Sequence, residues 1–226
     1  MSDPISAIEV ETGENPSVSV IWLHGLGADG SDFVSVVPEL RLSDAFAIRF
    51  IFPHAPQIPV TCNGGYVMRA WYDIVSLDSS SRRIDEAGIV QSRQLIRALI
   101  ARENERGVAS ERIFIAGFSQ GGALSYVTAL THPERLAGLI ALSAYIPSAS
   151  LLLEEATTSN RATQIFAAHG TRDDVVSPAL GLAAKALLTE NGYRLEWHQY
   201  PMPHSVCLEE ISDIGKWLNV RIAELT

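Results

Sequence analysis

A chain of 226 residues, 47% of them hydrophobic, can bury a substantial core, which excludes intrinsic disorder. Its net charge of −9, from 17 basic against 26 acidic residues, lacks the basic excess of a nucleic-acid-binding surface, so no nucleic-acid partner is expected. Two cysteines, Cys62 and Cys207, make no disulfide framework; no apolar run reaches membrane-spanning length, and Met1-Ser2-Asp3-Pro4 opens no secretory leader, so a cytoplasmic protein without integral membrane association is expected.

No linker, charge block or internal repeat divides the sequence, and residues 1–226 read as a single α/β domain. Ile5 to Glu11 alternates apolar and polar positions like an edge strand, and Val18 to Leu23 is a nearly continuous apolar run, as in a strand covered on both faces. The glycine-rich loop His24-Gly25-Leu26-Gly27-Ala28-Asp29-Gly30 follows, ahead of a helix predicted from Ser31 or Asp32. It lacks the lysine of a P-loop and the glycine spacing of a dinucleotide site. His24 is expected to hold the loop by a side-chain hydrogen bond.

Ala47 to Phe52 is the next strand. Pro53-His54-Ala55-Pro56-Gln57 then opens roughly 25 residues without clear period, a length that usually marks a binding loop or lid. Within it Trp71 and Tyr72 are expected in the core, and Ile74, Val75 and Leu77 on an apolar substrate groove. Asp85 to Arg106 is an amphipathic helix with Ile89, Leu95, Ile96, Leu99 and Ile100 inward, closed by Gly107. Leu136 to Ser143 is a buried strand and Leu151 to Ala156 a short helix. Gln164 to Ala168 is a strand leading to His169-Gly170-Thr171-Arg172-Asp173-Asp174-Val175-Val176, and Pro178 starts a helix ended by Asn191-Gly192. Tyr193 to Tyr200 is the last strand, before Pro203-His204 and a terminal helix from Leu208 to Ala223. Strands alternating with helices imply a mostly parallel central sheet with helices on both faces, its chemistry at the carboxyl ends of the strands. No insertion is long enough for a separate cap domain.

Between these elements, Arg112 to Ala116 runs into Gly117-Phe118-Ser119-Gln120-Gly121 and then an Ala/Leu-rich helix. A G-x-S-x-G segment between a strand and a helix places serine on a strained turn, Oγ exposed, beside the free N–H groups of the helix start. Serine needs a base, and the base an orienting acid; in this chain order, Ser, then Asp or Glu, then His. Among the downstream histidines, His198 lies within a strand, His132 at the far end of the helix, and His169 ahead of the acid, which leaves His204 as base. Spacing alone does not separate Asp173 from Asp174. The loop after Val18 to Leu23 suits an oxyanion loop, with a backbone N–H near Leu26 as donor.

His24-Gly25-Leu26-Gly27, Pro53-His54-Ala55-Pro56, Trp71-Tyr72-Asp73, Gly117-Phe118-Ser119-Gln120-Gly121-Gly122, His169-Gly170 with Asp173, and Pro203-His204, in that order, resemble the carboxylesterase, lysophospholipase and acyl-protein thioesterase family of α/β-hydrolases. The resemblance runs from about Val18 to the terminal helix. It implies an α/β-hydrolase fold, Ser119 as nucleophile, Asp173 as acid, His204 as base, and Leu26 and Gln120 as oxyanion N–H donors. Asp173-Asp174 stands where the family commonly has Asp-Pro. By resemblance and position Val175 joins Ile74, Val75 and Leu77 on the groove. The implied substrate is a small-molecule or lipid acyl ester, a lysophospholipid or an acylated protein; the sequence offers no metal ligands at useful spacing, and no cofactor and no metal are expected. A noncatalytic binding scaffold and a peptidase or amidase are the alternative classes, and an exposed apolar loop could equally form a homodimer interface.

Overall fold

The computed structural model describes residues 5–77 and 82–225; the side chains of Leu77 and Arg82 lie outside that description. In chain order the strands are β1 (Ala7–Glu11), β2 (Val18–Leu23), β3 (Ile48–Pro53), β4 (Gln57–Val60), β5 (Tyr66–Arg69), β6 (Ile74–Leu77), β7 (Arg82–Ile84), β8 (Ile113–Phe118), β9 (Gly138–Leu142), β10 (Gln164–Gly170) and β11 (Leu195–Tyr200). The helices are α1 (Glu86–Glu105), α2 (Gln120–Leu130), α3 (Ala149–Glu155), α4 (Pro178–Glu190) and α5 (Leu208–Ala223). Among the described residues seven strands form one sheet in the order β1-β3-β2-β8-β9-β10-β11. Its pairings are parallel except for the edge pair β1–β3.

Alternation along each strand sends side chains to opposite faces, and both faces are covered. Ile21, Leu23, Ile115, Leu139 and Ile165 pack with residues of α1, α2 and α4. Val20, Trp22, Phe114, Ile140 and Phe166 pack on the other face with Ile211, Ile214, Trp217 and Leu218 of α5. That two-sided burial explains why the central strands read as unbroken apolar runs. Among the charged groups buried in the fold, Glu103 of α1, held by Ser19 Oγ at 2.7 Å, Arg49 Nη1 at 2.8 Å and Arg106 Nη1 at 3.0 Å, fastens α1 to β2 and β3. No helix of the described residues is long and apolar enough to cross a membrane.

Three expectations are corrected. Ser31 onward forms not a helix but two 3₁₀ turns, Val34–Val36 and Pro38–Leu40. Branched Val34, Val36 and Val37 disfavour a long helix, and Pro38 has no N–H to continue one. The segment after β3 is not irregular but two antiparallel ribbons, β4–β5 and β6–β7. Gly64 and Gly65, at φ 66° and 77°, supply the left-handed turn of the first. Leu95, expected inward, is only half buried.

The loops after β2, β8, β10 and β11 all leave the same end of the parallel sheet. Near that end, in the first turn of α5, Glu210 is fully buried, and burial pushes its carboxyl from an ordinary 4.5 up to about 8. In the folded chain this carboxyl keeps its proton where the unfolded chain has lost it. Stability should therefore fall with rising pH between about 4.5 and 8, by about 1.4 kcal/mol per pH unit. Glu210→Gln removes that slope: urea unfolding at pH 5 and pH 8 should show wild type losing stability relative to the variant across this interval.

Candidate active site

Ser119 follows β8 and precedes α2 with φ 55° and ψ −119°. A positive φ costs a non-glycine residue of order 1–3 kcal/mol and persists only where the surroundings impose it. Here Ser119 N–H donates to Leu142 O and Ala123 N–H to Ser119 O, both at 2.9 Å. A Cβ on Gly117 would stand 2.4 Å from the Gly121 carbonyl, and one on Gly121 would stand 2.4 Å from Leu23 O. Both glycines are thus required by the crossing of α2 over β2 and β8.

His204, in the loop after β11, places Nε2 2.9 Å from Ser119 Oγ and Nδ1 2.7 Å from Asp173 Oδ2. A carboxylate accepts only, so Nδ1 carries the imidazole proton and Nε2 is free to accept from the serine hydroxyl. The ring leans on Phe118 with centroids 4.7 Å apart. Asp173 is buried, and its Oδ1 accepts the N–H groups of Val175 and Val176 at 2.9 and 2.8 Å. Burial would raise this carboxyl, but the donors of His169, His204 and Val176 outweigh it and hold Asp173 well below the usual carboxylate range. Asp174 is exposed, and no hydrogen bond or ion pair joins its carboxylate to another side chain among the described residues.

Gln120 opens α2, so its N–H has no acceptor within the helix. In the loop after β2, Gly27 N–H donates to Arg69 O and Ala28 N–H to Gly25 O, leaving Leu26 N–H outside both bonds. The two residues line one cavity of about 220 Å³ together with Ser119, His204, Phe118 and Asp32. Ile74 and Val175 also line it, whereas Val75 is exposed on β6 away from the lining, and Leu77 falls outside the described side chains.

The loops are locked by side chains that periodicity does not reveal. Gln120 Oε1 accepts Trp71 N–H and its Nε2 donates to Tyr72 O, both at 2.8 Å. Trp71 Nε1 donates to His24 O at 2.9 Å, and Ala55 N–H donates to His24 Nε2 at 3.0 Å. His24, Trp71 and Gln120 therefore tie the glycine-rich loop and the start of α2 to one buried segment. Burial lowers the pKa of His24, in keeping with a neutral ring that accepts on Nε2. Phe118 and Asp32 were not singled out by sequence; the first was legible as the residue before the elbow serine, the second carried no signal.

Residues 5–222 match the family model described as phospholipase/carboxylesterase. The chain belongs to the phospholipase/carboxylesterase family. Membership makes it a hydrolase of carboxylic esters. An acyl-protein thioesterase 1 of Neurospora crassa is 42% identical over 218 residues, covering 92% of this chain and 89% of that one. Carboxylesterase SOBER1 of Arabidopsis thaliana is 35% identical over 205 residues, 90% of each chain. The crystal structure of SOBER1 superposes with a TM-score of 0.85 over 91% of this chain and 99% of that one, at 33% identity, and the α/β-hydrolase fold is common to both.

Asp173→Asn keeps the shape but lets the amide favour the wrong imidazole tautomer, and should lower kcat for an acyl ester by on the order of 10⁴-fold. Asp174→Asn should leave kcat unchanged. Steady-state kinetics of the two variants side by side separates the neighbouring carboxylates.

Proposed function

We propose that the protein is a serine acyl hydrolase that cleaves acyl thioesters and esters through a covalent acyl-serine, with Ser119 as nucleophile, His204 as base and acid, and Asp173 as the group that orients His204. The unbroken hydrogen-bonded line from Ser119 through His204 to Asp173, at the floor of a cavity walled by Ile74, Phe118 and Val175, carries this reading. Relatives named acyl-protein thioesterase support the thioester half of it.

In the first half-reaction Ser119 Oγ bonds to the acyl carbonyl carbon while His204 Nε2 takes its proton. The carbonyl oxygen becomes an oxyanion facing the N–H groups of Leu26 and Gln120. Collapse breaks the C–O or C–S bond, and the imidazolium returns the proton to the leaving alcohol or thiol. Water then repeats the cycle at the acyl-serine, releasing the acid and restoring Ser119. Asp173, held ionised by its donors, stabilises the imidazolium in both halves. A site of about 220 Å³ is smaller than the roughly 300–1,000 Å³ of enclosed ligand pockets. It accommodates an acyl chain while the leaving group stays in solvent, which suits a lipid headgroup or an acylated protein as substrate.

Octanoyl p-nitrophenyl ester, an octanoyl thioester and an octanoyl anilide offered to wild type and Ser119→Ala test this reading. Ester and thioester should turn over, the anilide should not, and Ser119→Ala should lose on the order of 10⁶-fold in kcat. Retained turnover in Ser119→Ala would refute the assignment of the nucleophile, and comparable anilide turnover would favour an amidase.

A further inference from the structure

The acyl-transfer machinery leaves one charge in the site unused. Of the described residues lining the cavity beside Ser119, Asp32 carries the one fixed charge; the remainder are glycine, apolar residues, the uncharged Ser119 and Gln120, and His204. Its place is rigid. Asp32 N–H donates to Asp29 O at 3.1 Å, and the next residue, Phe33, is buried with its ring 5.3 Å from Trp22 and 5.8 Å from Phe118. The backbone is thus fixed on the loop that also presents Leu26, while the side chain stands exposed at the cavity rim.

Among the described residues no side chain pairs with this carboxylate. The neighbouring Asp29 is satisfied by Ser31, whose N–H and Oγ lie 2.7 Å from its Oδ1. Arg69, whose carbonyl receives the Gly27 N–H, directs Nη1 to Ala55 O at 2.8 Å, and Arg172 directs Nη2 to Pro201 O. The ring of His54 faces the loop only as the acceptor of Gly30 N–H, at 3.1 Å. Partial burial and the like charge of Asp29 both push the Asp32 carboxyl above its ordinary value. A cation brought to the rim would oppose both effects by favouring the charged carboxylate.

Which part of the substrate meets this charge follows from the chemistry of the walls. An alkyl chain gains by covering Ile74 and Val175 and loses by stripping water from a carboxylate. The chain is therefore steered to the apolar wall, and the leaving group meets Asp32. We propose that Asp32 is a specificity-determining residue, favouring acyl esters and thioesters whose alcohol or thiol carries a positive charge close to the scissile bond. This rests on the serine-hydrolase reading above and adds to it the chemistry of the preferred leaving group. A charge pair at an exposed rim, present in ground and transition states alike, should act mainly on KM, with a preference of about three- to tenfold.

Octanoylcholine and 3,3-dimethylbutyl octanoate are nearly isosteric and differ by the positive charge, and their hydrolysis by the full-length protein provides the test. At low ionic strength the choline-to-dimethylbutyl ratio of kcat/KM in wild type, divided by the ratio of the two esters' hydroxide-catalysed rates to remove the inductive effect of the ammonium group, should be about three to ten, chiefly through KM, and molar salt should bring it close to one. Asp32→Asn should also bring this corrected ratio close to one, and Asp32→Glu should restore it. A corrected ratio of one in wild type, or a corrected preference that survives either salt or Asp32→Asn, would overturn the proposal; the salt arm decides even if the variant fails to fold. Failure to hydrolyse either ester would instead overturn the serine-hydrolase reading on which the proposal stands.

Discussion

The close crossing of α2 over the ends of β2 and β8 is the constraint on which the rest of the site depends. At Gly121 the helix lies so near that a methyl group would sit 2.4 Å from Leu23 O and 2.5 Å from His24 O, and at Gly117 a methyl group would strike Gly121. That approach forces the chain through a positive φ at Ser119, lifts Oγ off the sheet, and leaves the first N–H of α2 beside the hydroxyl. The cost in backbone strain is met by packing: the strand ahead is buried throughout except at Phe118, and α2 is buried along its whole length. A surface helix could not impose such a turn.

The groups that surround Ser119 are held by short, local devices on otherwise independent loops. Asp173 is oriented by the N–H groups of the two valines that follow it, so its carboxylate is fixed before His204 reaches it. His204 is placed by that carboxylate and by the Phe118 ring. The glycine-rich loop is placed by His24 and Trp71, and Trp71 by Gln120. The chain thus uses a residue at the start of α2 twice, its backbone N–H facing the cavity and its side chain bracing the opposite wall. Loss of the Gln120 side chain would unpair a buried N–H and a buried carbonyl, which is costly in a dry interior.

Much of this was legible in the amino-acid sequence because it depends on local rules. The central strands are two-sided, hence unbroken apolar runs such as Val18 to Leu23; Pro178 and Gly107 punctuate helices where their backbone preferences require. The order of Ser119, Asp173 and His204 along the chain pointed to three strand ends, and the fold sets those three residues within hydrogen-bond reach. What failed was decided at longer range or by competing local terms. The turns after Ser31 carry a helical pattern that branched residues and Pro38 defeat, and the strands of the ribbons β4–β5 and β6–β7, three or four residues each, are too short to show a clear period. Asp173 and Asp174 are indistinguishable by spacing, because only the packing of the β10 loop against His204 separates them. The Gln120 to Trp71 brace spans 49 positions and leaves no pattern at all.

Whether this strained backbone makes Ser119 the nucleophile is reported most directly by a long-chain fluorophosphonate, which forms a stable bond with a serine Oγ only where a base and an oxyanion site activate it. Intact mass and peptide mapping of the treated protein should find one adduct per chain, on Ser119, with esterase activity falling in proportion to labelling. Adducts on another residue, or full activity in protein whose Ser119 is fully labelled, would show that Ser119 is not the nucleophile.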